Sequence, residues 1–421
     1  MDQLIENYPY LSYKNKKLYI NEQLVETILE DTATPIFIFL PSRFLNNIDF
    51  LDKALQKNLP NTFISYAIKA NFLGRVLSIA KTRGIGIEVM SLFEMKLAER
   101  AGYSWNKVIF NGPAKTTEEL QYAISKGVGF INVDSLDELR LIAKIAETEQ
   151  KIQPVTIRIH PQLKDETEKR LLIRKNSKLG VDFTRGLKLF RFARDNKFLD
   201  PVGVHVHVGT NLTSHDFYDE LLSFLNKYII DLKTKDNIMI NQINLGGGLA
   251  SKSTLDSKEF SLENLGKQIA TSIEDAKDKL IIFEPGRYLI EDSFVALTKI
   301  LRTKKTWGRK WAFTDIGANS LIPMRYTHYK ALPVHDKGKD QYCNLGGPLC
   351  LPVDVISNEA VNFKLEEEDM LIILNCGAYT LSMSEQFGYP RPAVYELNKE
   401  NELKLIKPAD NLEEMVEEAF Q

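Results

Sequence analysis

Between residues 62 and 285 the sequence alternates short apolar segments, which have the length of β-strands, with segments of helical periodicity. The strand-like segments are TFISYAI, GIGIEVM, KVIFNG, GFINVD, VTIRIH, GVHVHV, INQINL and LIIFEP. Strands that alternate with helices imply right-handed crossovers and a parallel sheet. Eight such units in roughly 220 residues have the size of a closed (β/α)8 barrel. The pattern therefore predicts an α/β fold built on a TIM barrel.

Three helix starts support this alternation. Each has a serine or threonine just after a strand and a glutamate three residues later, which is the spacing of a capping box: Ser91 with Glu94, Thr116 with Glu119, and Ser135 with Glu138. Because all three are in step with the strands, they strengthen the barrel prediction.

The sequence changes character after about residue 286. Segments such as SFVALTKILRTKKTWGRKWAFTDIG and DMLIILNCGAY have the alternation of strands, without helices of barrel length between them. The N-terminal segments KKLYINEQL and TPIFIFL are similar, and NLEEMVEEAF near the end predicts a short acidic helix. We assign residues 41–285 to the barrel, and residues 1–40 and 286–421 to a β-sandwich or β-barrel domain.

The net charge and the distribution of apolar residues exclude several classes of partner and indicate a cellular location. The formal net charge is -2 and the pI is near 6.4, which argues against a nucleic-acid or anionic-membrane partner. No apolar run approaches the roughly 20 residues of a membrane span, and the acidic start MDQLIENYPY is not typical of a signal peptide. The three cysteines show no metal-ligand spacing. We expect a cytoplasmic protein with a small-molecule substrate and no metal.

Polar side chains gather where the predicted strands end, which is where barrels of this kind place their active sites. A lysine at the end of a strand, as in YAIKAN, is costly to bury unless it has a function. The residues at or near the predicted strand ends are Lys69, Glu88, Arg158, His205, His207, Gly246, Gly247, Gly248 and Glu284.

These residue types suit a phosphorylated aldehyde cofactor. Three consecutive glycines after a strand are either a flexible turn or a nest of N–H groups for a phosphate, and Arg287 follows close behind the last strand. His207 is either a core histidine or a flat ring that stacks on a flat cofactor, and Glu88 could simply pair with a neighbouring charge. Together they predict a pyridoxal phosphate site, with Lys69 as the Schiff-base lysine and Glu284 hydrogen-bonded to the pyridine nitrogen.

The chain resembles the fold type III pyridoxal phosphate decarboxylases, which include the diaminopimelate, ornithine and arginine decarboxylases. Six segments in family order carry the resemblance: YAIKAN, HVHVGT, NLGGG, EPGRY, GGPLCLPVD and CGAYTLSMS. The resemblance implies an alanine racemase-like barrel and a homodimer with shared active sites. It implies that Cys350 acts as a proton donor in the partner's site and that Glu88 lies beside Lys69. It places around the cofactor His207, Thr210, Gly246, Gly247, Gly248, Glu284, Gly286, Arg287 and Tyr379.

The chain departs from the family at two places that bear on the substrate. Leu351 follows Cys350, where the family's enzymes for diaminopimelate or ornithine have an acid for the distal ammonium, and CLPVD resembles the Cys-x-Pro-x-Asp branch that acts on acylated amino acids. Arg325, near Pro323, is either a relocated carboxylate binder or a surface charge. We therefore expect Arg158, Arg325 and Asp354 to bind substrate.

Because Leu351 replaces an acid, we rank an acylated substrate above one with a free distal ammonium. The first is decarboxylation of an acylated diamino acid with a distal acidic group, of which N-citrylornithine in siderophore biosynthesis is the most concrete candidate. The alternative is diaminopimelate, ornithine or lysine. A racemase is disfavoured because Glu284 stands where the barrel racemases have an arginine. A cofactor-free regulatory homologue is disfavoured by the retained lysine, histidine, glutamate and cysteine.

Overall fold

The computed structural model describes residues 1–28, 32–161, 163–164, 177–322, 329–357 and 360–421. The chain divides into two compact units. The barrel unit comprises Asn47–Ala250 and Lys258–Tyr288, and the β unit comprises Met1–Asn46, Ser251–Ser257 and Leu289–Gln421.

Eight parallel strands of the barrel unit close into a ring. Each strand pairs in parallel with the next, and the eighth pairs with the first through Ile281 and Thr62. The predicted TIM barrel is therefore confirmed. Barrel strands 1 to 8 are, in order, Thr62–Ala67, Gly86–Val89, Val108–Phe110, Phe130–Val133, Gln153–His160, Leu199–His205, Gln242–Asn244 and Leu280–Phe283. A short strand, Val181–Asp182, pairs with barrel strand 5 from outside the ring.

The barrel strands form a largely apolar core because their apolar side chains are buried on both faces. Ile87, Ile109, Ile131 and Ile157 have no solvent exposure, and they come from four consecutive strands. Full burial of an aliphatic side chain contributes about 1.5–3 kcal/mol. The core therefore holds the strand ends, and the polar residues on them, in fixed positions.

Three helices that follow barrel strands begin where their caps predict. The side chains of Ser91, Thr116 and Ser135 each accept a hydrogen bond from the backbone N–H three residues later. In the described part of the chain the longer helices are Pro41–Gln56, Gly74–Thr82, Leu92–Arg100, Thr117–Lys126, Leu136–Thr148, Phe183–Arg194, His215–Asp236, Leu262–Ser272 and Leu412–Ala419. The short helices and 3-10 turns in the same part are Asp2–Ile5, Val25–Ile28, Ile68–Ala70, Trp105–Lys107, Lys252–Ser257, Arg287–Ile290 and Glu291–Ser293.

Only one of the three predicted capping boxes is reciprocal. Glu119 accepts from the backbone N–H of Thr116, as a capping box requires. The carboxylates of Glu94 and Glu138 instead accept from the N–H groups of Met90 and Asp134, which precede their caps. Both glutamates are buried, so their carboxylates are shielded from water although each lies in the first turn of its helix.

The β unit is built around a strand from the N-terminal region. Ile36–Phe39 is wholly buried and pairs antiparallel with the start of Phe294–Thr306 and parallel with Ala393–Leu397. The N-terminal region thus supplies a central strand to a sheet made mainly of C-terminal segments. The other strands of that sheet are Arg309–Thr314, Lys330–Pro333, Lys339–Gly346, Val361–Phe363, Met370–Leu374 and Leu403–Lys407. A separate small sheet contains Leu11–Lys14, Lys17–Ile20 and Gln23–Leu24.

The division between the units differs from the predicted boundaries at residues 40 and 285. It falls at residues 46 and 288, and a short segment at 251–257 joins the β unit. Asp292 explains this grouping, because its buried carboxylate pairs with Arg43 at 2.7 Å and accepts from the N–H of Ser253 at 3.0 Å. A helical segment between two barrel strands is therefore held by the β unit, which the strand pattern does not reveal.

Within the described ranges, every helix is too short or too polar to cross a bilayer. The cytoplasmic location and the exclusion of a nucleic-acid partner stay predictions.

Candidate active site

Lys69 lies in a 3-10 turn, Ile68–Ala70, that follows barrel strand 1 directly. Its side chain is 33% exposed and forms an ion pair with Glu88, whose side chain is fully buried. The pairing register explains the meeting, because Glu88 lies opposite Ala67 on the neighbouring strand. The ammonium is therefore held at the mouth of the barrel by a carboxylate that has no access to water.

Glu284, just after barrel strand 8, is held by three asparagine side chains. Its carboxylate accepts from Asn111 at 2.9 Å, from Asn132 at 3.0 Å and from Asn244 at 2.7 Å. It is only 4% exposed. An ionised carboxylate can accept several such bonds, so the three amides fix its orientation.

Opposing effects act on the pKa of Glu284. Burial, reinforced by the negative charge of Glu88, raises its pKa to about 7, while Lys69 and the amides of Asn244 and Asn111 lower it. His205 lies 3.6 Å from the carboxylate, and its own pKa is well below its ordinary value because it is buried and near Arg158. His205 is therefore neutral and does not act as a counter-ion. A cation placed beside Glu284 would keep the carboxylate ionised.

The three asparagines are not among the site residues that the sequence predicts. Asn132 lies inside barrel strand 4, Asn244 ends strand 7 and Asn111 follows strand 3. A polar residue among apolar strand residues, in the segments IFN, FINV and INQIN, was the available signal. All three are buried, and buried amides in a barrel core require partners.

His207 presents a neutral ring. Burial first, and then the charges of Arg158 and Lys69, lower its pKa to about 3. Its Nδ1 accepts from the backbone N–H of Gly247 at 3.0 Å. A neutral ring with a fixed orientation suits stacking on a flat group, as the sequence predicts.

The glycines at 246–248 form a tight turn rather than three open donors. The N–H of Gly246 donates to Asn244 Oδ1 at 2.8 Å, and that of Gly247 donates to His207. Gly246 and Gly248 have φ of 66° and 112°, which side chains rarely adopt. Two of the three predicted donors are therefore used inside the protein, and the phosphate nest stays a prediction that depends on Gly248 and its neighbours.

The segment after barrel strand 8 runs close to the Lys69 turn. A Cβ on Gly286 would lie 2.9 Å from the Cβ of Ala70, so only glycine allows this approach. Arg287 follows and is 4% exposed. Thr210 is partly buried in the segment after barrel strand 6. The structure thus places a buried arginine just after strand 8, one residue beyond the glycine that approaches the Lys69 turn.

Arg158, near the end of barrel strand 5, is 8% exposed. Its positive charge depresses the pKa of His205 and of His207, after burial, and it lowers that of Asp134 against the effect of burial. Arg158 therefore acts on the electrostatics of the strand ends. Its role in substrate binding stays a prediction.

The predicted residues of the β unit have diverse environments. Cys350 is exposed, and the neighbouring Leu351 is 37% exposed. The carboxylate of Asp354 is buried and accepts from the N–H groups of Ala318 at 2.6 Å and Leu349 at 2.7 Å. These bonds fix the loop that carries Cys350, and the predicted contact of Asp354 with substrate stays a prediction.

Tyr379 and Arg325 are the other two residues that the sequence predicts for the site in this part of the chain. Tyr379 has φ of 62°. Left-handed backbone is uncommon for a bulky side chain and is often found at functional sites. Arg325 lies outside the described residues.

Comparison with protein families decides the class. Residues 45–291 match the family described as pyridoxal-dependent decarboxylase, pyridoxal binding domain. This chain belongs to the pyridoxal-dependent decarboxylases. It is a pyridoxal phosphate enzyme of the carboxy-lyase type, as the sequence predicts.

Curated relatives and solved structures of this decarboxylase family extend over nearly the whole chain. Diaminopimelate decarboxylase of Aquifex aeolicus is 28% identical over 99% of each chain, and that of Helicobacter pylori is 30% identical over 93% of this chain and 96% of the relative. A crystal structure of diaminopimelate decarboxylase from M. jannaschii with L-lysine has a TM-score of 0.87 and 25% identity, and it covers 98% of each chain.

The residues of this decarboxylase fit the cofactor of its family. A lysine for covalent attachment, an amide-held carboxylate for a ring nitrogen and a neutral ring for stacking lie at the ends of the barrel strands. Buried Arg287 is suited to a phosphate. The donor set therefore agrees with pyridoxal phosphate, although the role of each residue stays a prediction.

Proposed function

We propose that this protein decarboxylates diaminopimelate or a closely related diamino acid. The observation that carries the proposal is the similarity to diaminopimelate decarboxylases, which reaches 30% identity and extends over 93–99% of the chain. These relatives favour the alternative substrate from the sequence analysis over N-citrylornithine. The pairing of Lys69 with Glu88 and the triple contact to Glu284 support the reaction type.

Pyridoxal phosphate, when bound, supplies an electron-withdrawing ring that accepts the electron pair left by departing carbon dioxide. Lys69 would attach the cofactor, and the buried carboxylate of Glu88 pairs with its ammonium when no cofactor is attached. Glu284 would hold a proton at the ring nitrogen, which would strengthen the electron withdrawal. The ring of His207 is neutral and would stack on the cofactor without adding a competing positive charge.

An acylated diamino acid is the second candidate, and one observation favours it. Leu351 stands after Cys350, where an acid would pair with a distal ammonium. Leucine cannot neutralise that charge, and an unpaired charge in a closed site costs several kcal/mol. A substrate with an acyl group, such as N-citrylornithine, has no distal ammonium to pair.

Competing substrates separate the two candidates. Purified protein is incubated with diaminopimelate, lysine, ornithine or N-citrylornithine, and carbon dioxide and amine are measured, with Lys69→Ala as the inactive control. The proposal predicts kcat/KM for diaminopimelate about 100-fold above that for the conjugate, because a mismatched buried charge costs about 2–3 kcal/mol. A preference for the conjugate would overturn the proposal and establish the second candidate.

We propose further that the active form is a homodimer in which each site receives Cys350 from the other subunit. Exposure around this cysteine supports the proposal. Leu351 and Val353 are 37% and 62% exposed, and adjacent exposed apolar side chains are typical of a surface that a partner covers. A partner subunit that covered this surface would bring its own site to the thiol.

A further inference from the structure

Asn111 connects two buried carboxylates with a single amide group. It follows barrel strand 3, and its backbone N–H donates to the carbonyl of Val89, which fixes its position. Its Nδ2 lies 2.8 Å from Glu88 Oε1 and 2.9 Å from Glu284 Oε2. The partner of Lys69 and the acid after barrel strand 8 therefore share one donor.

The hydrogen-bond network fixes which end of the amide faces the carboxylates. Asn111 Oδ1 accepts from Asn132 Nδ2 at 2.7 Å, and Asn132 Oδ1 accepts from the hydroxyl of Thr156. A flipped Asn111 would place its oxygen against two carboxylate oxygens, which are acceptors when ionised. Both N–H groups of Asn111 are therefore committed to the two acids.

A shared donor matters because two carboxylates in a barrel core repel each other. The interaction of like charges is stronger in the interior than in water, and the charge of Glu88 opposes the ionisation of Glu284. An amide between them satisfies one oxygen of each and reduces the repulsion. We propose that Asn111 is a positioning residue that couples Glu88 to Glu284, so that one carboxylate holds Lys69 while the other stays ionised and aligned for the cofactor's ring nitrogen. The alignment of Glu284 with the ring nitrogen rests on the role of Glu284 given under the proposed function.

The groups that face Glu284 allow a matched control. Lys69, Glu88 and neutral His205 are its titratable neighbours, and burial is the largest cause of its raised pKa. Asn244 donates to Glu284 at 2.7 Å, while its Oδ1 accepts from Gly246. Removal of Asn244 thus takes away one donor to Glu284 without removing the bond between Asn111 and Glu88.

Infrared titration of the full-length protein tests the coupling without measuring catalysis. The absorption of the protonated carboxyl group is followed with pH in cofactor-free protein and is assigned with Glu284→Gln. Asn111→Ala and Asn244→Ala should each increase the proton affinity of Glu284 about tenfold, which corresponds to about 1.4 kcal/mol for a hydrogen bond to a charged group. In the Asn111→Ala protein no amide reduces the repulsion between the two acids. Glu88→Gln should therefore decrease the proton affinity of Glu284 more in that protein than in the Asn244→Ala protein.

Two outcomes would overturn the proposal: an unchanged titration in Asn111→Ala, or an equal effect of Glu88→Gln in both backgrounds. If Asn111→Ala does not fold, Asn111→Asp keeps the size of the side chain and replaces a donor with an acid. It should then bind one additional proton near neutral pH, and a titration identical to the wild type would refute the coupling. Cofactor affinity of Glu284→Gln is measured separately by fluorescence. Unchanged affinity there would refute the role of Glu284 toward the cofactor and leave the infrared result as the test of Asn111.

Discussion

Lys69 and Glu88 form an ion pair between the ends of neighbouring barrel strands, with the lysine side chain one-third exposed and the glutamate side chain fully buried. The two strands are parallel, and Glu88 on the second lies opposite Ala67 on the first. The turn after the first strand therefore brings Lys69 to Glu88. Asn111 then connects Glu88 to Glu284. The closed barrel thus joins a cation and two acids from three different strand ends in one hydrogen-bonded chain.

Lys69 should be the lysine that binds the cofactor covalently. Borohydride reduction of the loaded protein, followed by peptide mapping, should place the cofactor on the peptide that contains Lys69, and Lys69→Ala should show no label. Lys57 is an exposed lysine with half of its side chain in water, so Lys57→Ala serves as the control and should be labelled as the wild type is. A label on another lysine would contradict the assignment.

Glu284 should make the cofactor-free protein less stable as the pH rises from about 4.5 to about 7. Its pKa is raised in the folded state, so the folded protein binds more protons than the unfolded chain in this interval, and the stabilising effect is lost toward pH 7. Glu284→Gln should remove about 1–3 kcal/mol of this dependence. Urea unfolding at pH 5 and pH 7 measures the difference between variant and wild type, and equal pH dependence of the two would be evidence against the raised pKa.

Gly248→Ala should lower the free energy of unfolding of the protein far more than Gly308→Ala does. Both glycines have positive φ, but a Cβ at Gly248 would also lie 2.7 Å from the carbonyl oxygen of Gly209, whereas the space at Gly308 is open. We expect a loss of about 1 kcal/mol at Gly308 from backbone strain alone, and about 3 kcal/mol at Gly248 from strain and steric clash. Chemical unfolding provides both values, and similar losses would show that the turn after barrel strand 7 can relax.

Mixing two inactive variants should restore activity if the sites are shared between subunits. Lys69→Ala lacks the cofactor lysine, and Cys350→Ala lacks the exposed thiol. In an equal mixture half of the dimers are hybrids with one intact site, so activity should return to about a quarter of the wild-type value. Native mass spectrometry confirms the exchange of subunits. Exchange without recovery would show that each subunit uses its own cysteine.

Local sequence patterns were sufficient to predict the barrel and the residues at the ends of its strands. The alternation of apolar strands and capped helices depends on local periodicity, and parallel strands bring their carboxyl ends to one edge. Lys69, Glu88 and Glu284 could therefore be assigned to one region from the strand pattern alone. The resemblance to a decarboxylase family indicated the cofactor, which the family match confirmed.

Which polar groups meet depends on the tertiary structure. Asn111 and Glu284 are 173 positions apart, and their contact depends on the closure of the barrel between its eighth and first strands. The N–H groups of Gly246 and Gly247 likewise donate to side chains, those of Asn244 and His207, instead of being left open. Hydrogen-bond partners require positions within a few tenths of an ångström, and local periodicity sets only the face on which a residue lies.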